Sequence, residues 1–182
     1  MDTSIIVVDD FLENPDIVRN CALSLEYPKS GSFPGFRSLK ADSDYAGMIK
    51  NKLQTILGKE IFFPYSRDSF CFQICMDDAK SWVHTDETEW SAVLYLTPNA
   101  PIGSGTALYD DIRDNSDKEF TDSDFSVNTL VGNVYNRIIL FKGNKNFHRS
   151  FIPGFGNSFD TARLTQVFFF NTYDNGQKQI NI

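Results

Sequence analysis

The sequence predicts an α+β fold: two helices, then a strand-rich remainder forming a β-sandwich or jelly-roll barrel over the C-terminal two-thirds. Three observations predict it. Apolar residues recur at helical spacing as far as Leu57, and after Glu60 the pattern changes to short apolar runs separated by turn residues. Aromatics make up 14% of the 182 residues, with 17 Phe, which suits a β-rich core better than a helical bundle. No stretch between the later runs is long enough for a useful helix.

Ser4 to Asp9 (SIIVVD) reads as a buried strand. Asn14-Pro15 supplies an N-cap and a first-turn proline, and Ile17, Val18, Cys21, Ala22 and Leu25 follow at helical spacing until Pro28 ends the helix. Gly31 to Arg37 (GSFPGFR) reads as loop. A second helix runs from about Asp42 to Leu57. Tyr45, Met48, Ile49, Leu53, Ile56 and Leu57 form its stripe, and Gly58 is its stop. Strands then follow at Ser69 to Met76, Ser91 to Thr97, Thr106 to Tyr109, Arg137 to Lys142 and Arg163 to Asn171. Pro98 to Gly105, Asp110 to Asn128 and Arg149 to Asp160 are turn or polar segments. The stretch from Asp110 to Asp124 holds seven acidic residues against Arg113 and Lys118, so it reads as a solvated loop, with a lid beside a site as the alternative. With no internal repeat and no linker, residues 1–182 form one domain.

The net charge of −7 argues against nonspecific nucleic-acid binding, and Lys29, Arg37 and Lys40 are too scattered along the chain to claim a basic patch. The opening residues lack a signal-peptide pattern and no run approaches transmembrane length, so the expectation is a cytoplasmic protein without a membrane partner. Cys21, Cys71 and Cys75 are expected as reduced thiols. Cys71 and Cys75 share one strand face, too far apart along it for a disulfide.

The chain has only two histidines. His84 and Asp86 stand two residues apart, so on an extended segment both face one side, and His148 is the only other imidazole. Two imidazoles and a carboxylate leave three positions of an octahedral metal open. The set suits Fe(II) or Mn(II) and is chemically possible for zinc, so the ligands alone do not choose the metal. Arg163 begins the last long strand and Thr165 shares its face. A guanidinium fork beside a hydroxyl binds a carboxylate well, and a buried arginine without an acidic partner is costly.

In this order the residues resemble the iron- and 2-oxoglutarate-dependent oxygenases, especially their prolyl-hydroxylase-like branch. That signature is His-X-Asp, a distant His, then Arg or Lys on the following strand; here it is His84-Thr85-Asp86, His148 and Arg163. Ser91 to Thr97 resembles the strand that in this branch often supplies a tyrosine, at Tyr95. Val7 to Leu23 followed by Phe33 to Arg37 resembles the beginning of a little-characterised bacterial and phage group of these proteins. The loop Arg149 to Asp160 is longer than the common pattern, which makes Arg149 a competitor of Arg163. The resemblance implies a double-stranded β-helix (jelly-roll) core with N-terminal supporting helices. It implies Fe(II) on His84, Asp86 and His148, and 2-oxoglutarate gripped by Arg163 with Tyr95 or Thr165. Dioxygen then serves to hydroxylate a peptidyl (prolyl among them) or small-molecule substrate, with succinate and carbon dioxide as co-products. Gln73 and Tyr65 are further candidates for the site wall by position. The rivals are a noncatalytic jelly-roll metal-binding module and a cupin-like metalloenzyme that does not use 2-oxoglutarate. Neither needs the carboxylate clamp that Arg163 offers.

Overall fold

Alternation along the strands decides this architecture, because each strand offers one row of side chains to helices and the other to a cavity. A computed structural model describes residues 5–65, 68–113 and 121–173. Among these residues, two α-helices and eleven strands make an α+β fold.

The larger sheet has eight strands. β1 (Ile5–Val8) lies at one edge and pairs with β9 (Ile138–Phe141), which pairs with β6 (Trp90–Tyr95). β6 pairs with the long β11 (Arg163–Thr172), and β11 with β5 (Cys71–Cys75). The hairpin of β2 (Lys29–Gly31) and β3 (Phe33–Lys40) completes the row, and β4 (Ile61–Phe62) pairs with the end of β11. The smaller sheet holds β7 (Thr106–Asp111) between β8 (Phe125–Val131) and β10 (Phe147–Ser150).

Leu164, Phe168 and Phe170 of β11, Leu94 of β6, Leu140 of β9 and Ile74 of β5 belong to one core. The helices cover it. α1 (Pro15–Leu23) contributes Ala22, Val18 and Leu23; α2 (Ser43–Leu57) contributes Ile49, Leu53, Tyr45, Ile56 and Leu57. Asp42 caps α2 by accepting from the Asp44 and Tyr45 amides at 3.0 Å, and Gly58 ends it in the left-handed region at φ +64°. α1 is shorter than its spacing predicts: Ser24 ends it and donates to the Cys21 carbonyl. Asn14 makes no side-chain cap there. The opposite face of the large sheet meets the small one through Tyr95, Ile139 and Phe141 on one side and Leu108 and Val131 on the other.

The expected buried strand Ser4 to Asp9 is instead an edge strand, β1, with none of its four residues buried and Val7 exposed, because only one strand flanks it. Four further segments differ from the sequence reading. The expected loop Gly31 to Arg37 is mostly strand, because Pro34 sits on a hairpin strand near the sheet edge and Gly35, at φ +65°, lets the chain press against β5. A Cβ on Gly35 would stand 2.0 Å from the Ile74 carbonyl oxygen. β8 falls partly inside the expected polar stretch 110–128. It is an edge strand whose Ser126, Val127 and Asn128 are exposed, so its pattern carries no core signal. β10 runs to Ser150, into the expected loop from Arg149, and the two-residue β4 is too short to signal itself. Residues 114–120 of the acidic stretch lie outside the described residues. Among the described residues, no helix is long and apolar enough to cross a membrane.

Candidate metal centre

His84 and His148 are paired by backbone before their side chains meet. The His84 amide donates to the His148 carbonyl at 3.1 Å and the His148 amide returns a bond at 2.8 Å, an isolated bridge between otherwise separate segments. The Asp86 amide donates to the Gly143 carbonyl just beyond β9 at 2.9 Å. These contacts bring one oxygen or nitrogen from each of His84, Asp86 and His148 within 4.8 Å of one another.

The imidazoles are orientated from behind. His84 Nδ1 lies 3.0 Å from the Trp82 carbonyl and His148 Nδ1 lies 2.9 Å from the Asn146 carbonyl. A carbonyl only accepts, so each Nδ1 carries a proton and Nε2 is the nitrogen that each ring turns inward. His84 Nε2 is 3.8 Å from Asp86 Oδ1, and His148 Nε2 is 3.2 Å from Asp86 Oδ2. Nitrogens and carboxylate oxygens this close repel unless a cation lies between them, a proton or a metal ion, and a metal takes both Nε2 atoms unprotonated. Burial, then the neighbouring His148, push His84's pKa down, favouring the neutral ring that a metal needs. Burial pushes Asp86 upward, but the His148 and Ser91 contacts outweigh it and hold the carboxyl below its usual range. Ser91 donates to Asp86 Oδ2. Gly143 leaves room for this pair, since a Cβ there would stand 2.2 Å from Ser91 Oγ and 3.1 Å from Asp86 Cβ.

The three groups open on a cavity of about 390 Å³ between the sheets. Arg163, Thr165, Val167 and Phe169 line it in strict alternation along β11. Arg163 is only 2% exposed and its Nε donates to the Ser104 carbonyl at 2.8 Å. No carboxylate of the described residues pairs with it. Thr165 Oγ1 is buried without a hydrogen-bond partner among the described residues. Tyr95 is fully buried beside Arg163, whose guanidinium carbon is 5.8 Å from the ring, and its hydroxyl donates to Thr106 Oγ1 at 2.9 Å. The competing arginine, Arg149, also lines the cavity, but its Nε donates to the Tyr109 hydroxyl at 2.9 Å and its guanidinium carbon lies 5.4 Å from that ring. Gln73 lines the cavity, whereas Tyr65 is 97% exposed and does not.

Sequence reasoning missed Ser91, Thr106 and Arg37, all of which line the cavity. Only the face alternation of β6 could have found Ser91, which shares its side with Val93 and Tyr95. Arg37 had no signal, because its segment read as loop.

No protein-family model matches the chain, and no curated protein matches it by sequence. Its fold does match solved structures. A prolyl hydroxylase from Trichoplax adhaerens, in complex with a hypoxia-inducible-factor peptide fragment, matches with a TM-score of 0.60 at 10% identity, over 92% of this chain and 83% of that one. HygX from Streptomyces hygroscopicus, with nickel, 2-oxoglutarate and hygromycin B bound, matches with a TM-score of 0.62 at 12% identity, over 92% and 82%. A Pseudomonas putida prolyl-4-hydroxylase matches with a TM-score of 0.52 at 15% identity, over 94% of each chain. The chain has the fold of prolyl hydroxylases and other Fe(II)- and 2-oxoglutarate-dependent oxygenases.

Proposed function

We propose that the chain is an Fe(II)- and 2-oxoglutarate-dependent oxygenase that hydroxylates a C–H bond of a peptidyl or small-molecule substrate. One observation carries this reading beyond a bare metal site: a buried arginine and a buried threonine hydroxyl, the one without a carboxylate partner and the other without a hydrogen bond among the described residues, face the cavity that holds His84, Asp86 and His148. Leaving such groups unpaired costs several kcal/mol, of order ~3–5 for a lone buried charge, and a ligand carboxylate removes that cost. On this reading the two sheets are the walls of a double-stranded β-helix, and the helices brace the large sheet from outside. We read the protein as cytoplasmic, where its three free cysteines suit a reducing compartment.

His84, Asp86 and His148 would hold the iron. Neutral imidazoles and one carboxylate form a facial set with one negative charge. Iron bound there supplies oxygen activation, with 2-oxoglutarate oxidised to succinate and carbon dioxide as one oxygen atom enters the substrate. Arg163 and Thr165 would bind the distal carboxylate of 2-oxoglutarate through a charge-assisted fork and a hydroxyl donor. Tyr95 backs the clamp by packing against Arg163, with its own hydroxyl committed to Thr106. Ser91 keeps the Asp86 carboxylate in one orientation. Val93, Val167 and Phe141 make the wall between clamp and metal apolar, which excludes water from the reacting end.

A noncatalytic metal-binding module or a cupin-like enzyme would leave Arg163 and Thr165 without a purpose. Turnover in air decides between them. The protein with Fe(II) and 2-oxoglutarate should form succinate slowly even without its primary substrate, and His84→Ala should abolish this. Absence of succinate from the iron-loaded protein would sink the oxygenase reading.

A further inference from the structure

Strand pairing gathers what the sequence scatters. Lys29 and Arg37 are register partners in the β2–β3 hairpin, and Arg37 and Lys40 face Gln73 and Cys71 of β5. A basic strip therefore lines the β3 side of the sheet in a chain whose net charge is −7. The register Arg37–Gln73–Thr165 runs straight across β3, β5 and β11, so Arg37 lies lateral to the clamp. Arg37 and Gln73 both line the cavity that holds the metal ligands.

Arg37 is built into place. Its side chain is 12% exposed, its guanidinium lies 4.1 Å from the centre of the Phe33 ring, and Phe169 stands 5.6 Å away on another side. Its Nε donates to Gln73 Oε1 at 2.8 Å, and Gln73 Nε2 donates in turn to the Pro34 carbonyl at 2.9 Å. The fork is thus fixed by its Nε edge, while neither terminal nitrogen donates a hydrogen bond to a described residue. Asp68 is the nearest counter-charge, but it stands 3.8 Å from Nη1 and is already paired with Lys29 at 2.8 Å. One positive charge is left over, mostly out of water, at the cavity wall. Burial pushes its pKa down, with Asp68 the main opposing charge. Such a charge without a full partner is costly, and a planar fork held by one edge is preorganised for a carboxylate or phosphate on the other.

We propose that Arg37 is a specificity-determining residue that binds an anionic group, carboxylate or phosphate, of the molecule oxidised at the metal. The claim that this molecule is the substrate rests on the oxygenase reading; the anion site itself does not. The substrate is then an acidic compound, with the carbon to be oxidised lying between Arg37 and the metal. Phe33 and Phe169 flank its path.

The test titrates the protein, loaded with Ni(II) and 2-oxoglutarate so that the clamp is filled and turnover blocked, with inorganic phosphate and separately with acetate by calorimetry. One saturable site is expected for at least one probe. Arg37→Met should weaken it at least tenfold and leave 2-oxoglutarate affinity unchanged; Arg163→Met should do the reverse. Asp68→Asn, which removes the competing carboxylate, should tighten it several-fold. This variant keeps the proposal testable if Arg37→Met does not fold. No saturable site for either probe, or a site indifferent to both Arg37 and Asp68, overturns the proposal. If 2-oxoglutarate does not bind, the titration is run without it: dependence on Arg37 still upholds the anion site, and the failure falls on the oxygenase reading. Mass gain by oxygen in the acidic metabolite fraction or the acidic peptide fraction of a cell extract then identifies the source of the anion. Gain confined to uncharged or basic compounds overturns the substrate assignment.

Discussion

Among the described residues Thr165 Oγ1 is buried and makes no hydrogen bond, two residues along the same strand face from Arg163, a buried arginine that donates to the Ser104 carbonyl but has no carboxylate partner. Thr165→Val removes the hydroxyl at nearly constant shape. Without ligand the variant should be as stable as the parent or more so, by up to about 1 kcal/mol, because an unsatisfied group is gone. Its affinity for 2-oxoglutarate should fall about ten- to a hundredfold, the worth of one hydrogen bond to a charged group. Thermal denaturation and a ligand titration check the two signs separately, and a loss of stability with unchanged affinity would remove Thr165 from the clamp. At this scale much of the site was legible. His84 and Asp86 stand two residues apart, as do Arg163 and Thr165, so period-two alternation puts each pair on one face, and His148 is the one remaining imidazole. Tyr95 was legible as an inward residue, but its hydroxyl partner, Thr106, sits across the sheet interface, where no local pattern reaches. Arg37 was not legible as part of a basic strip, because its neighbours Lys29 and Lys40 join it only through strand pairing.

Asn136 clips the N-terminal segment to the turn before β9. Its side chain accepts from the Leu12 amide and donates to the Leu12 carbonyl, both at 2.9 Å and both buried. Its own backbone sits in the left-handed region at φ +63°, which asparagine tolerates better than most residues. Asn136→Ala strands two buried backbone groups and strains the turn, so it should cost about 2–4 kcal/mol in urea denaturation. A cost within the error of that measurement would show that the N-terminal segment is held by its strand pairing and core packing without the Asn136 clip. The elements themselves were legible in proportion to how much apolar surface they bury. α2 begins and ends at its Asp42 and Gly58 signals, and β11 is found almost whole because most of its residues are buried. β3, β8 and β10 were lost or clipped because edge and hairpin strands keep one polar side, and Pro34 and Gly35 imitate a loop.

Across the whole molecule, Glu89 fastens the ends of three strands. Its carboxylate takes Lys142 Nζ at 2.6 Å, the Thr172 amide at 2.9 Å and the Thr172 hydroxyl at 2.6 Å, just before β6, after β9 and at the end of β11. Burial alone would raise its pKa, but the Lys142 and Thr172 contacts outweigh burial and hold it at about 2. A depressed carboxyl stabilises the fold above the unfolded value of about 4.5 and loses that contribution as pH falls toward about 2. With the side chain 28% exposed, solvent screening reduces the effect to about 1–3 kcal/mol. Glu89→Gln should therefore lower stability by that amount at pH 7 and by almost nothing at pH 2, as urea melts at the two values would report. An equal loss at both would mean that packing, not charge, is the cause. The joining of two sheets around one cavity was legible only through the family resemblance, since no local signal records which strands cross from one sheet to the other. The central claim is that this cavity holds iron and 2-oxoglutarate together, on His84, Asp86, His148 and Arg163. Anaerobic titration of the metal-free protein with Fe(II) and then 2-oxoglutarate tests it most directly. The account predicts a visible charge-transfer band that appears only with both, vanishes in His84→Ala, and needs far more 2-oxoglutarate in Arg163→Met but not in Arg149→Met. No band in the parent protein, or one that Arg163→Met leaves untouched, would contradict it.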